Sequence, residues 1–323
     1  MNFIKPYVTL IESELEQLNF PERPTSLYEP QRYIISSSGK RIRPVLALMG
    51  CGLCGEEIEK AIPAALAVEL VHNFTLIHDD IMDQAEVRRG SPSVHIRWDE
   101  STAILSGDSL FVQAILQLQK LSPDADYKQA NKIFLEGINH VCEGQALDME
   151  FERRMDVSTD EYLEMISGKT AALLSVSLQL GGLAANASHD QLGQLRQLGE
   201  SLGLAFQVQD DLMDVTADPE KFGKKRGGDI SEGKKTFLMV KTLESCDRSE
   251  REWLTGSLKE RPLQSQDIQN VLNLYKKYNV IESAETLLHK YYEKAAHALN
   301  LFGDYNYKQD LQQLINYLKR RDS

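Results

Sequence analysis

Residues 63–83 read PAALAVELVHNFTLIHDDIMD, and this stretch decides the fold class. Its apolar residues Leu66, Leu70, Phe74 and Ile77 recur three or four positions apart, which places them on one face of a helix. The spacing therefore predicts an amphipathic helix over 63–83 that ends in a run of aspartates.

The same pattern extends over most of the chain. Only Pro219 and Pro262 lie beyond Pro123, so long stretches contain no helix-breaking proline. Helices are also predicted over 102–121, 127–151, 162–184, 191–214, 268–278 and 309–319. Ser158 and Ser188 stand three residues before Glu161 and Gln191, the capping-box spacing that opens a helix. No useful strand-like alternation and no fixed internal repeat occur, so we expect an all-α bundle forming one domain over residues 1–323.

Composition limits the possible functions. The chain has 323 residues, of which 42% are hydrophobic, and a formal net charge of −12. An acidic balance argues against nucleic-acid binding, whereas a small phosphorylated ligand needs only a local basic cluster. The first ten residues lack the features of a secretory leader, and no run of eighteen apolar residues occurs. Four scattered cysteines do not form a disulfide framework, so a soluble, cytoplasmic protein is expected.

Two aspartate motifs carry the strongest chemical signal. The helix from 63 ends in DDIMD at 79–83, and the helix from 191 ends in DDLMD at 210–214. Residues four apart share a helix face, so Asp79 pairs with Asp83, and Asp210 pairs with Asp214. Adjacent carboxylates repel each other, but they are the hard oxygen ligands that Mg²⁺ prefers, particularly when phosphate oxygens complete its shell. One copy alone would suit a solvated helix end; two copies, each before a basic segment, favour metal binding.

Basic residues cluster beside both motifs. GKRIRP occupies 39–44, RRG follows the first motif at 88–90, and KKR and KK follow the second at 224–226 and 234–235. The segments 84–93 and 216–235 are predicted to be irregular. Arginine and lysine are the natural partners of diphosphate oxygens, so two anion sites are indicated. Six carboxylates and two diphosphates in one cavity require compensating cations, which predicts several divalent ions as cofactors.

Five blocks together resemble the trans-isoprenyl diphosphate synthases, a family that makes geranyl, farnesyl, geranylgeranyl and longer polyprenyl diphosphates. In order they are GKRIRP, HDDIMD with RRG-x-P following, GKT at 168–170, QVQDDLMD, and GK-x-x-GGD-x-x-EGK at 223–234. The resemblance runs from about Gly39 to Lys235. It implies a large helical bundle around a central cavity, a homodimer, and a Mg²⁺-dependent prenyltransferase. In the first block, Ser38 stands where the family usually has glycine, and a modest effect is expected.

The resemblance also implies roles for individual residues. The diphosphate of isopentenyl diphosphate would be bound by Lys40, Arg43, His72 and Arg89. Magnesium ions would be held by Asp79, Asp83 and Asp210. Supporting groups would be Asp80, Asp211, Asp214, Gln145 and Asp148. The allylic diphosphate would be contacted by Arg88, Lys169, Lys224 and Lys234. Thr170 and Gln207 would line the site where the allylic cation forms, and together with Lys169 they are the predicted catalytic residues.

The implied reaction is a head-to-tail condensation of isopentenyl diphosphate with an allylic diphosphate. Departure of the allylic diphosphate leaves a carbocation, the isopentenyl double bond attacks it, and a proton is lost to the departing diphosphate. No protein base is required, which agrees with the lack of an evident Ser/His/Asp or Cys/His arrangement.

Product length is expected to depend on Phe74. This residue lies five positions before Asp79, roughly 7.5 Å lower along the helix. An aromatic floor there, with an uninterrupted DDIMD, resembles synthases of the geranylgeranyl type and predicts a C20 product. The alternatives are a C15 farnesyl product or a longer polyprenyl chain, and an ordinary core role for Phe74.

Two other functional classes stay open at the level of sequence. A class I terpene cyclase also ionises an allylic diphosphate, but it usually carries a single aspartate-rich motif and needs no isopentenyl diphosphate site. A non-catalytic synthase subunit has the same fold but tends to lose aspartates, and all six are present here.

Overall fold

The computed structural model describes residues 2–216, 227–303 and 306–319. Over these residues the chain is almost entirely helical, which confirms the all-α prediction. The helices are α1 (Lys5–Glu16), α2 (Thr25–Ser36), α3 (Ile42–Leu53), α4 (Ile62–Met82), α5 (Val94–Arg97), α6 (Glu100–Leu118), α7 (Tyr127–Phe151), α8 (Thr159–Ile166), α9 (Ala172–Ala184), α10 (His189–Thr216), α11 (Gly228–Glu232), α12 (Phe237–Ser245), α13 (Arg248–Ser257), α14 (Ser265–Lys277), α15 (Val280–Asn300) and α16 (Asn306–Lys319). Short 3₁₀ turns cover Asn2–Ile4 and Ile58–Ala61.

The predicted helix boundaries agree with this pattern where local signals are strong. The helix over 127–151 is α7, the helix over 63–83 is α4, and the box of Ser158 and Glu161 caps α8. Residues 162–184 are helical as predicted, but they do not form one regular α-helix. A π turn, Ser167–Ala171, separates α8 from α9 there. A π turn admits one extra residue and occurs frequently at functional sites.

The segment after α4, predicted to be irregular, contains a small antiparallel hairpin. Strand β1 (Val87–Arg88) pairs with β2 (Ser91–Pro92). The two residues of its turn, Arg89 and Gly90, both have positive φ, 53° and 79°. This conformation is that of a tight hairpin turn whose twist matches its strands. The side chains of the two adjacent arginines, Arg88 and Arg89, contact different parts of the protein.

The chain divides into two compact units. The first, here called unit 1, comprises Met1–Ile138, Val176–Arg196 and Leu301–Gln313. Helix α4 is central to it and packs against α3 and α6. It is buried on several faces, as is typical of a core helix rather than a surface helix. The stretch Ile58–Met82 is long and apolar enough to cross a membrane by composition alone, but 61% of its most apolar window is buried inside the protein.

Unit 2 comprises Asn139–Ser175, Gln197–Asn300 and Leu314–Ser323. Its core gathers apolar side chains from several helices around three fully buried aromatics, Phe151, Tyr162 and Tyr275. Helix α12 packs against α8, α14 and α15. The first aspartate motif therefore belongs to unit 1 and the second to unit 2.

Candidate active site

The first aspartate motif occupies the last turn of α4. Asp79 is partly buried there, and Asp83 is exposed at the C-cap, where its backbone N–H donates to Asp79 O at 2.8 Å. The carboxyl end of a helix carries partial negative charge, so carboxylates at this position are unfavourable unless a cation is present. The second motif lies in the same position near the end of α10, which finishes at Thr216. Both motifs thus place acids at a helix end where a nearby cation makes them more favourable.

Asp80 differs from its neighbours because it is fully buried. Its Oδ1 accepts hydrogen bonds from both Nε and Nη2 of Arg88, the former at 2.8 Å. Burial lowers the pKa of Arg88, but its hydrogen bonds to Asp80 and the charge of nearby carboxylates raise it above the ordinary value. Arg88 is therefore a permanent cation held against the aspartate motif. Asp80 thus links the end of α4 to the hairpin.

Within unit 1, the side chains predicted to bind isopentenyl diphosphate lie near one another. Arg43 Nη1 donates to His72 Nε2 at 3.2 Å, joining α3 to α4. Arg89 Nη1 donates to Ser37 Oγ at 3.3 Å. It also lies against Gly39, where an added Cβ would stand 2.8 Å from Nη1. A side chain at residue 39 would therefore require the Arg89 guanidinium to shift.

Arg43, His72 and Arg89 form a group that is here called the cationic pocket. Its electrostatics suit an anion. Burial lowers the pKa of His72 well below its usual value, and the charge of Arg43 lowers it further. The imidazole is therefore neutral and accepts the hydrogen bond from Arg43. Burial also lowers the pKa of Arg43 to about 10, with a lowering contribution from Arg89 opposed by Glu69. Lys40 is exposed beside this pocket, and so is Ser38 at the position where the family has glycine.

The second motif is built differently in unit 2. Asp211 is buried and accepts three hydrogen bonds, from Tyr162 Oη at 2.6 Å, Phe237 N at 2.8 Å and Gln207 Nε2 at 3.1 Å. Burial raises the pKa of Asp211 to about 7, although these three donors lower it. Asp214 Oδ2 accepts from Asp229 N at 3.2 Å. Asp211 and Asp214 are therefore engaged with the protein, while Asp210 is partly buried.

Gln207 connects this motif to the π turn. Its Oε1 accepts from Thr170 Oγ1 at 2.9 Å, while its amide nitrogen donates to Asp211. In the same turn, Lys169 Nζ lies 2.5 Å from Asp148 Oδ2. The three predicted catalytic residues, Lys169, Thr170 and Gln207, are thus adjacent.

The π turn depends on glycine packing. An added Cβ at Gly144 in α7 would stand 2.7 Å from the Gly168 carbonyl carbon, and one at Gly168 would stand 2.6 Å from His140 O. Only glycines allow the two backbones to come this close. The partly buried Gln145 and Asp148 lie on α7 next to this contact.

Three predicted residues remain: Lys234, Lys224 and Phe74. Lys234 lies 3.4 Å from Asp229 and 3.0 Å from Glu232, whose charges raise its pKa although burial lowers it. Lys224 lies outside the described residues. Phe74 is partly buried and packs edge-on against His78, with ring centroids 4.8 Å apart, and against Phe111 of α6 at 5.7 Å.

Among the described residues, no cluster of three or more His, Cys, Asp or Glu side chains is arranged to hold a metal by itself. Asp79 with Asp83, and Asp210 in the second motif, are hard oxygen donors that leave coordination positions to be filled by others. Such incomplete carboxylate sets suit Mg²⁺ that also binds phosphate oxygens.

Sequence reasoning did not single out three residues that organise these sites. They are Arg41, Glu69 and Tyr162, all buried and hydrogen-bonded to segments far away in the chain. One signal was available for Glu69, because a charged residue inside the apolar run of α4 requires a buried partner.

Comparison with known proteins gives one consistent picture. Residues 24–275 match the sequence profile of the family described as Polyprenyl synthetase. The geranylgeranyl diphosphate synthase of Sulfolobus acidocaldarius is 41% identical over 277 residues, covering 85% of this chain and 84% of that protein. A short chain isoprenyl diphosphate synthase of Methanothermobacter thermautotrophicus is 34% identical and covers 100% and 98% of the two chains. The crystal structure of geranylgeranyl pyrophosphate synthetase from Pyrococcus horikoshii Ot3 is similar with a TM-score of 0.93, at 36% identity and with 98% and 97% of the chains covered. The aspartate motifs, the cationic pocket and these similarities agree, and the chain belongs to the polyprenyl synthetase family.

Proposed function

We propose that this protein is a geranylgeranyl diphosphate synthase that condenses isopentenyl diphosphate with an allylic diphosphate in the presence of Mg²⁺. One observation carries the proposal. The two adjacent arginines of the hairpin serve two different groups in unit 1: Arg88 binds Asp80 in the aspartate motif, and Arg89 lies against Gly39 beside the cationic pocket. This arrangement supports neighbouring sites for a metal-bound diphosphate and for a directly bound diphosphate. We further propose that residues 1–323 act as one catalytic domain.

The diphosphate of isopentenyl diphosphate is assigned to the cationic pocket. Arg43 and Arg89 supply guanidinium donors, and neutral His72 orients Arg43. Lys40 is exposed at the pocket and adds a mobile ammonium group. A site with this much positive charge favours a multiply charged anion and needs no metal.

The allylic diphosphate is assigned to the aspartate side. Asp79, Asp83 and Asp210 would hold magnesium ions, which neutralise the negative charge of the departing diphosphate. Arg88, Lys169 and Lys234 are proposed to contact its oxygens directly, and Lys224 is proposed to do so as well. Asp80, Asp211 and Asp214 orient neighbouring groups through the hydrogen bonds described above.

Condensation then needs no protein base. The allylic C–O bond breaks with its electron pair leaving on the diphosphate, and the isopentenyl double bond supplies the electrons of the new C–C bond. The departing diphosphate accepts the proton that is lost. Thr170 Oγ1 and Gln207 Oε1 place oxygen dipoles at the π turn, where they would stabilise the allylic cation.

We also propose that the protein is a homodimer. Leu105, Val112 and Leu116 are exposed on α6 and lie seven and four residues apart, which places them on one helix face. An exposed apolar face of this kind is typical of an interaction surface. A cytoplasmic location stays a prediction.

The proposed function is tested by product analysis of the purified protein. It would be supplied with isopentenyl diphosphate and each allylic starter in turn, with Mg²⁺ or with EDTA. A C20 product that requires Mg²⁺ is expected. A cyclised hydrocarbon would favour a terpene cyclase instead, and no turnover with any starter would favour a non-catalytic subunit.

Phe74→Ala is expected to lengthen the product by one or more isoprene units, because it removes the ring that we propose as the floor of the product cavity. Phe20→Ala, which removes another partly buried aromatic of unit 1, is the matched control and should leave the product at C20. Mass spectrometry of the dephosphorylated products measures the length. An unchanged C20 product from Phe74→Ala would assign Phe74 to the ordinary core, and a C15 product from the unsubstituted protein would favour the farnesyl alternative.

A further inference from the structure

Arg41 lies between two proposed ligands of isopentenyl diphosphate, Lys40 and Arg43, but its side chain turns into the protein. Only 6% of Arg41 is exposed, whereas Lys40 is exposed. Its backbone has φ of 50°, the left-handed conformation, at the N-cap of α3. This strained conformation is uncommon for arginine and needs compensating contacts.

Those contacts join three helices of unit 1. Arg41 Nη2 donates to Ile35 O at 2.7 Å and to Ser37 O at 2.9 Å, at the carboxyl end of α2. Arg41 Nη1 donates to Glu69 Oε1 in α4. A guanidinium at a helix carboxyl end satisfies carbonyls that the helix itself cannot, and it matches the helix dipole.

Glu69 is itself held in place. It is 1% exposed, and the buried Asn73 donates from Nδ2 to Glu69 O at 2.8 Å and to Glu69 Oε1 at 3.3 Å. Its negative charge also reaches the cationic pocket, where it raises the pKa of Arg43 and Arg89 against the lowering caused by burial. Glu69 therefore opposes the mutual repulsion of the arginines.

We infer that Arg41 and Glu69 are positioning residues for the binding of isopentenyl diphosphate. Their ion pair fixes the loop 36–40, and through it Lys40 and the contacts of Ser37 and Gly39 with Arg89. The inference rests on the proposed function, because it assigns this pocket to isopentenyl diphosphate. The chemistry recognised is a free diphosphate group.

A purely structural ion pair would behave differently. A buried pair is weak evidence for stability, and exchanging both partners for apolar residues of similar volume is often neutral or stabilising. The double variant Arg41→Met with Glu69→Met should therefore fold, but it no longer holds the Ile35 and Ser37 carbonyls. Comparing the unfolding temperature of this variant with its affinity for isopentenyl diphosphate therefore distinguishes an effect on stability from an effect on substrate binding.

The experiment compares three proteins: the unsubstituted chain, the double variant, and a control that removes an exposed ion pair of unit 1. The control is Glu56→Met with Lys60→Met, whose ion pair is 2.6 Å long and lies at the surface. Titration calorimetry measures binding of isopentenyl diphosphate alone, thermal unfolding measures stability, and steady-state kinetics measure KM for each substrate.

The double variant is expected to unfold at a lower temperature than the unsubstituted protein, because the Ile35 and Ser37 carbonyls and Asn73 lose hydrogen-bond partners, but to stay folded at the assay temperature. It should bind isopentenyl diphosphate roughly ten-fold or more weakly, with KM for that substrate raised in the same proportion, because a small displacement of binding groups has a large effect. KM for the allylic starter should change little, and the control should behave like the unsubstituted protein.

Other results would overturn the inference in identifiable ways. If the double variant binds isopentenyl diphosphate like the unsubstituted protein, the ion pair has no positioning role and the proposed function stands. If the unsubstituted protein does not bind isopentenyl diphosphate, the proposed function is itself wrong. Should the double variant fail to fold, Arg41→Lys keeps a positive charge opposite Glu69 but cannot supply the forked donors that hold the Ile35 and Ser37 carbonyls, and unaltered affinity in that variant overturns the inference equally.

Discussion

Asp79→Asn is expected to lower kcat for condensation by about 10³-fold, the loss typical of removing one group that stabilises charge in a transition state. The change keeps the shape of the side chain but removes the charge that we propose binds Mg²⁺. The fold should be retained, because Asp79 is partly buried and the hairpin is held by Asp80 through Arg88. Single-turnover assays at saturating substrates, over a range of Mg²⁺ concentrations, measure the effect.

Asp124→Asn is the matched control, since Asp124 is an exposed aspartate of unit 1 outside both motifs. It should leave kcat and the Mg²⁺ requirement unchanged. If Asp79→Asn retains most of its activity at the same Mg²⁺ concentration, Asp79 is not a metal ligand. Mg²⁺ would then have to be held by other carboxylates.

Lys169→Met should lower kcat by about 10²-fold while KM for isopentenyl diphosphate changes little, because it removes a cation that we propose contacts the departing diphosphate. The π turn holds this ammonium group 2.5 Å from Asp148 Oδ2, and the adjacent Thr170 donates to Gln207. Methionine keeps the length of the side chain, so packing in the turn should persist. Initial rates measured while each substrate is varied separate kcat from the two KM values.

The control for this prediction is Lys241→Met, because Lys241 is also partly buried in unit 2 and lies 3.2 Å from Glu244. We expect it to be kinetically silent. A Lys169→Met protein with a raised KM for isopentenyl diphosphate and an undiminished kcat would place Lys169 at the other diphosphate. In that case the assignment of the two anion sites would have to be exchanged.

The helices were predictable because their signals are local. Apolar spacing identified α4 and α7, and the serines of two capping boxes identified the starts of α8 and α10. A hydrogen bond between residues three or four apart depends on little beyond the residues themselves. The π turn was missed because it packs against Gly144 in α7, a different part of the chain.

The resemblance to the trans-isoprenyl diphosphate synthases assigned distant residues to one site, which sequence spacing alone could not do. Arg43 and His72 were predicted to share a substrate, and their side chains lie 3.2 Å apart in the structure. That neighbourhood follows from the packing of α3 against α4. The role of each side chain toward substrate stays a prediction.

The sequence by itself determined the helical class, the two aspartate motifs and the basic segments beside them, because each follows from the identity and spacing of residues close together in the chain. The tertiary structure alone decided which members of these motifs face inward. Asp80 is buried against Arg88 while the neighbouring Asp79 is only partly buried, and Arg41 turns toward Glu69 while the neighbouring Lys40 is exposed. Helix spacing groups Asp79 with Asp83, but it does not show which of the neighbouring residues is buried. Their environments differ because burial of a charge requires a partner, and that partner comes from another helix or from the hairpin.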